Sequence, residues 1–146
     1  MVITSSAFTN NSPIPDEFTC NGSGINPPLS IGGIPEDTQS LVLIVEDPDA
    51  PMGTWDHWLV YNIDPSLTEI SPDSVPVNGI EVINSFGKVN YGGPCPPVGQ
   101  THRYFFKIYA LSSMLDPTLI MDKPSLIETL KPYILSSGEL VGTYSR

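Results

Sequence analysis

The chain has 146 residues, of which 40% are hydrophobic and 15% charged, a composition typical of one folded domain, 1–146, with a single core. Its 16 acidic and 6 basic residues give a formal net charge of -10, which argues against nucleic acid as a partner, because phosphate contacts need clustered lysine and arginine. No apolar run approaches the ~20 residues of a transmembrane segment, and the N-terminus lacks a secretion-signal pattern, so we expect a cytoplasmic protein.

Short apolar segments separated by turn residues predict an all-β fold. The 16 prolines are spread along the chain, a pattern that favours an antiparallel β-sandwich. The clearest strands are predicted at 41–45, 57–63 and 104–111. A weaker strand is expected at 81–85, and short strands are expected near 2–4, 17–20 and 140–144.

Helix is predicted only in the C-terminal third of the chain. Residues 124–130 place Leu126, Ile127 and Leu130 on one face, and Pro124 suits a first helical turn. Because Pro132 would kink a continuing helix, we expect it to open a second short helix at 132–136 that ends near Gly138.

The residue types suited to chemistry gather where predicted strands meet loops. The turn at 47–51 ends the first strong strand, His57 begins the second, and a rigid Gly- and Pro-rich loop at 92–97 precedes His102 and Tyr104. His102 and Tyr104 share a face if their strand begins that early, because side chains alternate along a strand. This concentration predicts a small preformed ligand cavity.

An anion pocket is the interpretation we favour for this cavity. A histidine beside a carboxylate can donate to a phosphate oxygen, and Gly92 and Gly93 let backbone N–H groups approach a ligand. Since no lysine or arginine lies in these motifs, the positive charge would come from imidazole. We expect Asp47 to raise the pKa of a cavity histidine, so that phosphate binding strengthens from about pH 8 to about pH 6.

Two kinds of active site remain as alternatives. Asp47, Asp49, His57 and His102 could form a zinc or iron site, although no His-x-His or His-Glu-x-x-His spacing supports it. Ser85, His102 and Asp47 could form a hydrolytic triad, although no Gly-x-Ser-x-Gly motif presents a nucleophile.

Purely structural roles are a further interpretation of the same residues. Asp49 could cap its own turn through a side-chain hydrogen bond, and Arg103 could pair with Glu46 or Asp47 on a neighbouring strand. The two cysteines, Cys20 and Cys95, lie far apart in the sequence without a Cys-x-x-Cys motif, and in a cytoplasmic protein we expect both to be free thiols rather than a disulfide.

The motifs of this chain closely resemble those of the phosphatidylethanolamine-binding protein family, which includes Raf kinase inhibitor protein. The similarity extends over essentially the whole chain, and the short Gly-Pro-Cys-Pro-Pro form is similar to the bacterial and archaeal branch. The motifs that carry it are Asp47-Pro48-Asp49-Ala50-Pro51, Trp55 with His57-Trp58, and Gly93-Pro94-Cys95-Pro96-Pro97 followed by His102-Arg103-Tyr104.

The resemblance implies a β-sandwich with a small cavity at one end that binds phosphate, acetate or phosphorylethanolamine-like groups. It further implies a non-enzymatic protein without cofactor that regulates a partner such as a kinase, with a serine protease inhibitor as the alternative. A metal-dependent enzyme, which only the residue types suggest, is a more distant alternative. Carried over residue by residue, the cavity would be lined by Asp47, Ala50, Pro51, Trp55, His57, Gly93, Pro94, His102 and Tyr104.

Overall fold

The computed structural model describes residues 1–146, and most of its regular structure is β-strand. The strands are β1 (Val2–Thr4), β2 (Ser12–Pro13), β3 (Leu29–Gly32), β4 (Ser40–Asp47), β5 (Trp55–Ile63), β6 (Glu69–Ile70), β7 (Ile80–Glu81), β8 (Thr101–Leu111) and β9 (Ile134–Ser145). One α-helix, α1, spans Lys123–Leu130, and short 3₁₀ helices cover Asp16–Phe18, Pro117–Leu119 and Lys131–Tyr133. The prediction of a mainly β protein with a helix near Leu126 is confirmed.

The strands form two sheets. The larger sheet has the order β2-β9-β8-β4-β5-β7, and the smaller one has the order β1-β3-β6. Every neighbouring pair is antiparallel except β2 and β9, where Ser12 lies opposite Gly142 in a parallel pair. The purely antiparallel prediction therefore needs this correction. Pro13 is tolerated there because β2 is an edge strand, where a missing N–H breaks no ladder.

Strand β4 is buried on both faces at the centre of the larger sheet. Leu41, Leu43 and Val45 belong to a hydrophobic cluster that also contains buried side chains of the smaller sheet, such as Ile31. The alternate residues of β4 face a second cluster, which includes Leu126 of α1. Burial on both faces explains the near-continuous apolar sequence of this strand, since neither face meets water.

Helix α1 begins at a capping box. The Asp122 carboxylate accepts from the Ser125 backbone N–H, and the Ser125 hydroxyl accepts from the Asp122 N–H. The predicted second helix at 132–136 is wrong: after the 3₁₀ turn at Lys131–Tyr133 the chain enters β9, because β9 pairs with β8 along nearly its whole length. None of the helices is long and apolar enough to cross a membrane.

Two weaker strand predictions are also corrected. The strand expected at 81–85 is only Ile80–Glu81, since Asn84 then organises a turn by accepting from the Phe86 and Lys88 backbone N–H groups. The strand expected at 17–20 is replaced by the Asp16–Phe18 3₁₀ helix. Both errors arise from local turns closed by hydrogen bonds that short apolar runs do not reveal.

Candidate functional site

A cavity of about 230 Å³ lies at one end of the larger sheet, between the loop after β4, the start of β5 and the loop before β8. Every residue that we expected to line the pocket does so except Gly93 and Pro94. The lining residues are Asp47, Ala50, Pro51, Trp55, His57, Phe86, Cys95, Pro96, Pro97, His102 and Tyr104.

Gly93 and Pro94 lie behind the cavity wall and position it. The Pro94 carbonyl accepts from the Cys20 backbone N–H at 3.1 Å. A Cβ atom at Gly93 would lie 2.9 Å from Thr19 Cα, so only glycine allows this close approach of the two segments.

Asp47 and His102 form a buried pair inside the cavity. Both side chains point to the same side of the sheet, and Asp47 Oδ2 lies 2.7 Å from His102 Nδ1. Asp47 Oδ1 accepts from the Asp49 backbone N–H at 2.8 Å, so Asp47 caps the turn. The interpretation in which Asp49 caps its own turn is therefore wrong. The second ring nitrogen of His102 lies 2.8 Å from Gln100 Oε1, which leaves this imidazole no free hydrogen-bonding atom.

Arg103 pairs with Asp49, not with Glu46 or Asp47. Its guanidinium and backbone N–H both donate to the Asp49 carboxylate, with Arg103 Nη2 2.8 Å from Asp49 Oδ1. These hydrogen bonds from Arg103 lower the pKa of Asp49 to about 2. The pair lies on the outside of the loop after β4, so it supplies no positive charge to the cavity.

A β-bulge aims His57 into the cavity. Val45 lies opposite Trp58 and Glu46 lies opposite Asp56, so His57 has no partner residue on β4. A bulge breaks the alternation of side chains, and His57 and Trp58 thus face the same side of the sheet although they are consecutive. The His57 ring packs edge-on against the Tyr104 ring, with centroids 5.2 Å apart.

The hydrogen bonds of His57 fix its tautomer. Nδ1 lies 2.7 Å from the Gly92 carbonyl oxygen, which can only accept, so Nδ1 carries the hydrogen. Burial lowers the pKa of His57, and the opposing effects of the Gly92 carbonyl and Asp47 do not outweigh it. Asp47 thus acts on His57 in the expected direction, but the expected net rise in pKa is wrong for His57 because burial outweighs it.

Phe86 forms an aromatic wall of the cavity that the sequence analysis did not identify. Its ring contacts Trp55 and His57 edge-on, with centroid separations of 5.5 and 5.3 Å. The buried Asn84 holds the loop that carries it, since its amide also donates to the Asn90 carbonyl at 2.7 Å. The Asn84-Ser85-Phe86-Gly87 sequence is a turn signal that could have suggested this loop, whereas nothing in the sequence distinguishes Gln100.

The Tyr104 hydroxyl is buried beside Asp47 without a hydrogen-bond partner. Burial and the charges of Asp47 and Asp49 raise the pKa of Tyr104, so its hydroxyl keeps its proton. Leaving a buried hydroxyl unpaired costs about 1–3 kcal/mol, and a ligand oxygen in the cavity would remove that cost.

The structure does not assemble either alternative active site. No group of three or more histidine, cysteine, aspartate or glutamate side chains is arranged to hold a metal ion, and Asp49 turns away to Arg103. The Ser85 hydroxyl accepts from the Asp56 backbone N–H at 2.8 Å, whereas the His102 nitrogens contact Asp47 and Gln100. Asp47 and His102 therefore lack the predicted nucleophile.

Cys20 and Cys95 form a disulfide, which corrects the prediction of two free thiols. The expectation was wrong because sequence separation does not report distance: close packing at Gly93 brings the segment of Cys20 against the loop that contains Cys95. Cys95 lines the cavity, so the crosslink fixes one of its walls. The cytoplasmic location stays a prediction, and the disulfide gives it no support.

Comparisons with known proteins agree with this architecture. A family model described as phosphatidylethanolamine-binding protein matches residues 4–145. A UPF0098 protein of Pyrococcus horikoshii is 46% identical over 151 residues, which cover 97% of this chain and 75% of the relative.

Two solved structures are similar over nearly their full length. A putative phosphatidylethanolamine-binding protein homolog from Chlamydia trachomatis has a TM-score of 0.94 at 39% identity, and it covers 99% of this chain and 97% of that one. E. coli YbcL, described as a new member of the mammalian family, has a TM-score of 0.89 at 28% identity with the same coverage. The chain belongs to the phosphatidylethanolamine-binding protein family.

Proposed function

We propose that the protein is a non-enzymatic binding protein whose cavity holds a small oxyanion, such as phosphate or the phosphate of a phosphorylethanolamine-like compound. The observation that carries this proposal is the unpartnered Tyr104 hydroxyl, buried in a cavity that it shares with His57 and the Asp47–His102 pair. A polar group left unpaired in a native interior is typical of a binding site.

The size of the cavity supports a small ligand. About 230 Å³ accommodates a phosphate group and a few further atoms, and the ring of Phe86 with Trp55 restricts the entrance. We further propose that residues 1–146 act as one domain in which the two sheets pack as a β-sandwich, so that the cavity forms at its end.

A protein partner would detect the ligand at the cavity mouth. The Met52 and Val98 side chains are 94% and 80% exposed on the loops that form the cavity walls. Exposed apolar side chains beside a ligand cavity fit an interaction surface, and regulation of a partner protein such as a kinase is the role that we propose for it.

Isothermal titration calorimetry with phosphate and with phosphorylethanolamine tests the oxyanion site. Tyr104→Phe should weaken binding by about 0.5–1.5 kcal/mol, because the variant loses one hydrogen bond to the ligand. Tyr109→Phe is the matched control, since Tyr109 lies on the same strand but on the opposite face. Absence of binding of both compounds to the wild type at about pH 6 would refute the proposal.

A further inference from the structure

The proposed oxyanion site contains hydrogen-bond acceptors where an anion would ordinarily meet positive charge. Because the Gly92 carbonyl holds the hydrogen of His57 on Nδ1, His57 Nε2 carries a lone pair, and it makes no hydrogen bond within the protein. The Asp47 carboxylate lies in the same cavity and has acceptor capacity beyond its bonds to His102 and the Asp49 N–H.

No lysine or arginine lines the cavity to offset these acceptors. Arg103 is engaged by Asp49 outside the cavity, and Arg146 contacts Cys95 Sγ, at 3.2 Å, and the Pro96 carbonyl. The titratable groups that face His57 in the cavity are Asp47, His102 and Tyr104, while Asp56 precedes it on β5. Burial raises the pKa of Tyr104, and the charges of Asp47 and Asp49 act in the same direction.

Hydrogen-bond donors are present in the same cavity as well. The Tyr104 hydroxyl makes no hydrogen bond of ordinary geometry in the protein. Asp47 and the Cys95 backbone N–H both lie near it, and they act on the pKa of Tyr104 in opposite directions. A ligand that satisfies both sets of groups must therefore accept hydrogen bonds at one oxygen and donate a hydrogen from another.

We propose that the cavity selects oxyanions that can carry a proton, namely hydrogen phosphate and the monoanions of phosphomonoesters and phosphonates, over oxyanions that cannot, such as sulfate and phosphodiesters. The ligand P–O–H would donate to His57 Nε2 or to Asp47, and an unprotonated ligand oxygen would accept from Tyr104. Sulfate and a diester present only acceptors to Asp47 and His57, so both meet unfavourable lone-pair contacts. This inference rests on the proposed oxyanion site and names its ligand class; it separates free phosphomonoesters from the diester head groups of intact phospholipids.

Calorimetry at about pH 7 and constant ionic strength tests the selection with four small probes. Inorganic phosphate and methylphosphonate should bind at least about tenfold more tightly than sulfate and dimethyl phosphate, the ratio expected for one mismatched buried hydrogen bond. Equal affinities for the two pairs of probes would overturn the inference but leave the oxyanion site standing. Failure of all four probes to bind would overturn the proposed function and this inference with it.

His57→Gln tests which protein atom accepts the hydrogen bond from the ligand P–O–H group. A glutamine amide can present a donor in place of Nε2, so the preference for phosphate over sulfate should fall several-fold, whereas Tyr109→Phe should preserve it. A preference unchanged in folded His57→Gln would exclude His57 as the acceptor. Nitrogen-15 chemical shifts of the imidazole in the wild type provide a readout that needs no variant: an Nε2–H tautomer at neutral pH would overturn the inference.

Discussion

Glu46 and Asp47 are consecutive carboxylates on β4 that point to opposite faces of the larger sheet, and their surroundings differ in kind. Glu46 faces the side of α1, where Lys107 Nζ lies 2.5 Å from Glu46 Oε1 and Lys123 bridges Glu46 and Asp56. Asp47 faces the cavity, where its hydrogen-bonding neighbour is the imidazole of His102.

The lysines satisfy Glu46 completely. Burial alone would raise the pKa of Glu46, but hydrogen bonds from Lys107 and Lys123 outweigh it and hold that pKa below its ordinary value. Burial would likewise lower the pKa of Lys123, yet the bonds to Asp56 and Glu46 raise it. These groups hold one another in the charged form, because both oxygens of Glu46 accept from a lysine.

On the Asp47 face the hydrogen bonding is incomplete. The Tyr104 hydroxyl and His57 Nε2 have no hydrogen-bond partner in the protein, and both residues line the cavity. The contrast separates a buried carboxylate that lysines neutralise from one that lies beside unpaired polar atoms, and only the second is a candidate binding site.

The largest expected effect on stability comes from removing the Cys20–Cys95 disulfide, which fixes one wall of the cavity. Cys20→Ser combined with Cys95→Ser should lower the free energy of unfolding by about 4 kcal/mol in the chain-entropy model, because the disulfide joins residues 75 positions apart. Urea denaturation of the variant and of the wild type measures the loss. Thiol titration of the denatured wild type without reductant should find no free thiol, and two free thiols per chain would contradict the disulfide.

A smaller loss is expected on the Glu46 face. Lys123→Met should lower the free energy of unfolding by about 1–3 kcal/mol, since it leaves Glu46 and Asp56 partly buried without their shared cation. Lys131→Met is the control, because its pair with Glu128 is exposed and should contribute little. Phosphate affinity should not change in either variant; loss of binding in folded Lys123→Met would remove the distinction between the two faces.

The burial of His57 predicts a pH dependence on the Asp47 face. The unfolded chain protonates this histidine below about pH 6.5, whereas the folded protein resists protonation because its pKa is lowered. The unfolded state thus binds more protons, and the stability of the wild type relative to His57→Gln should fall as the pH drops below about 6.5, by at most about 1.4 kcal/mol per unit. Thermal unfolding of both proteins from about pH 7 to pH 5 measures this difference in stability. If the wild type instead gained stability over His57→Gln at low pH, the pKa of His57 would be raised rather than lowered.

The smallest expected effect is the change in stability on removing the Tyr104 hydroxyl, which should affect ligand binding but not folding. Tyr104→Phe removes a hydroxyl that has no partner. Without ligand, the variant should therefore be as stable as the wild type, or more stable by up to about 1 kcal/mol. Chemical denaturation without and with phosphate provides the measurement. A clear loss of stability without ligand would assign the hydroxyl a structural role.

The sequence predicted the parts of the fold that hydrophobic pattern controls. Strands β4, β5 and β8 contain the predicted ranges because their apolar residues fill both clusters, and α1 begins where its capping residues lie. The motifs likewise identified most cavity residues, and their role as ligand contacts stays a prediction, as does protease inhibition.

Features that depend on tertiary contacts could not be predicted. The segment after Pro132 has helical local signals, but the pairing of β9 with β8 decides its conformation. The bulge at His57, the contact of Gln100 with His102 and the Cys20–Cys95 disulfide all join residues whose proximity only the folded chain establishes.

Gly92 links the backbone to the ligand preference of the cavity. Its carbonyl oxygen orients His57, and no side-chain substitution can remove that oxygen, so the tautomer is protected against mutation. Its α-carbon is vulnerable instead, because an added methyl group would lie 2.3 Å from the Phe86 ring. A change from glycine to alanine here would keep the carbonyl oxygen that orients His57 but displace the Phe86 ring, so it would change the shape of the cavity while its hydrogen-bonding groups stay the same.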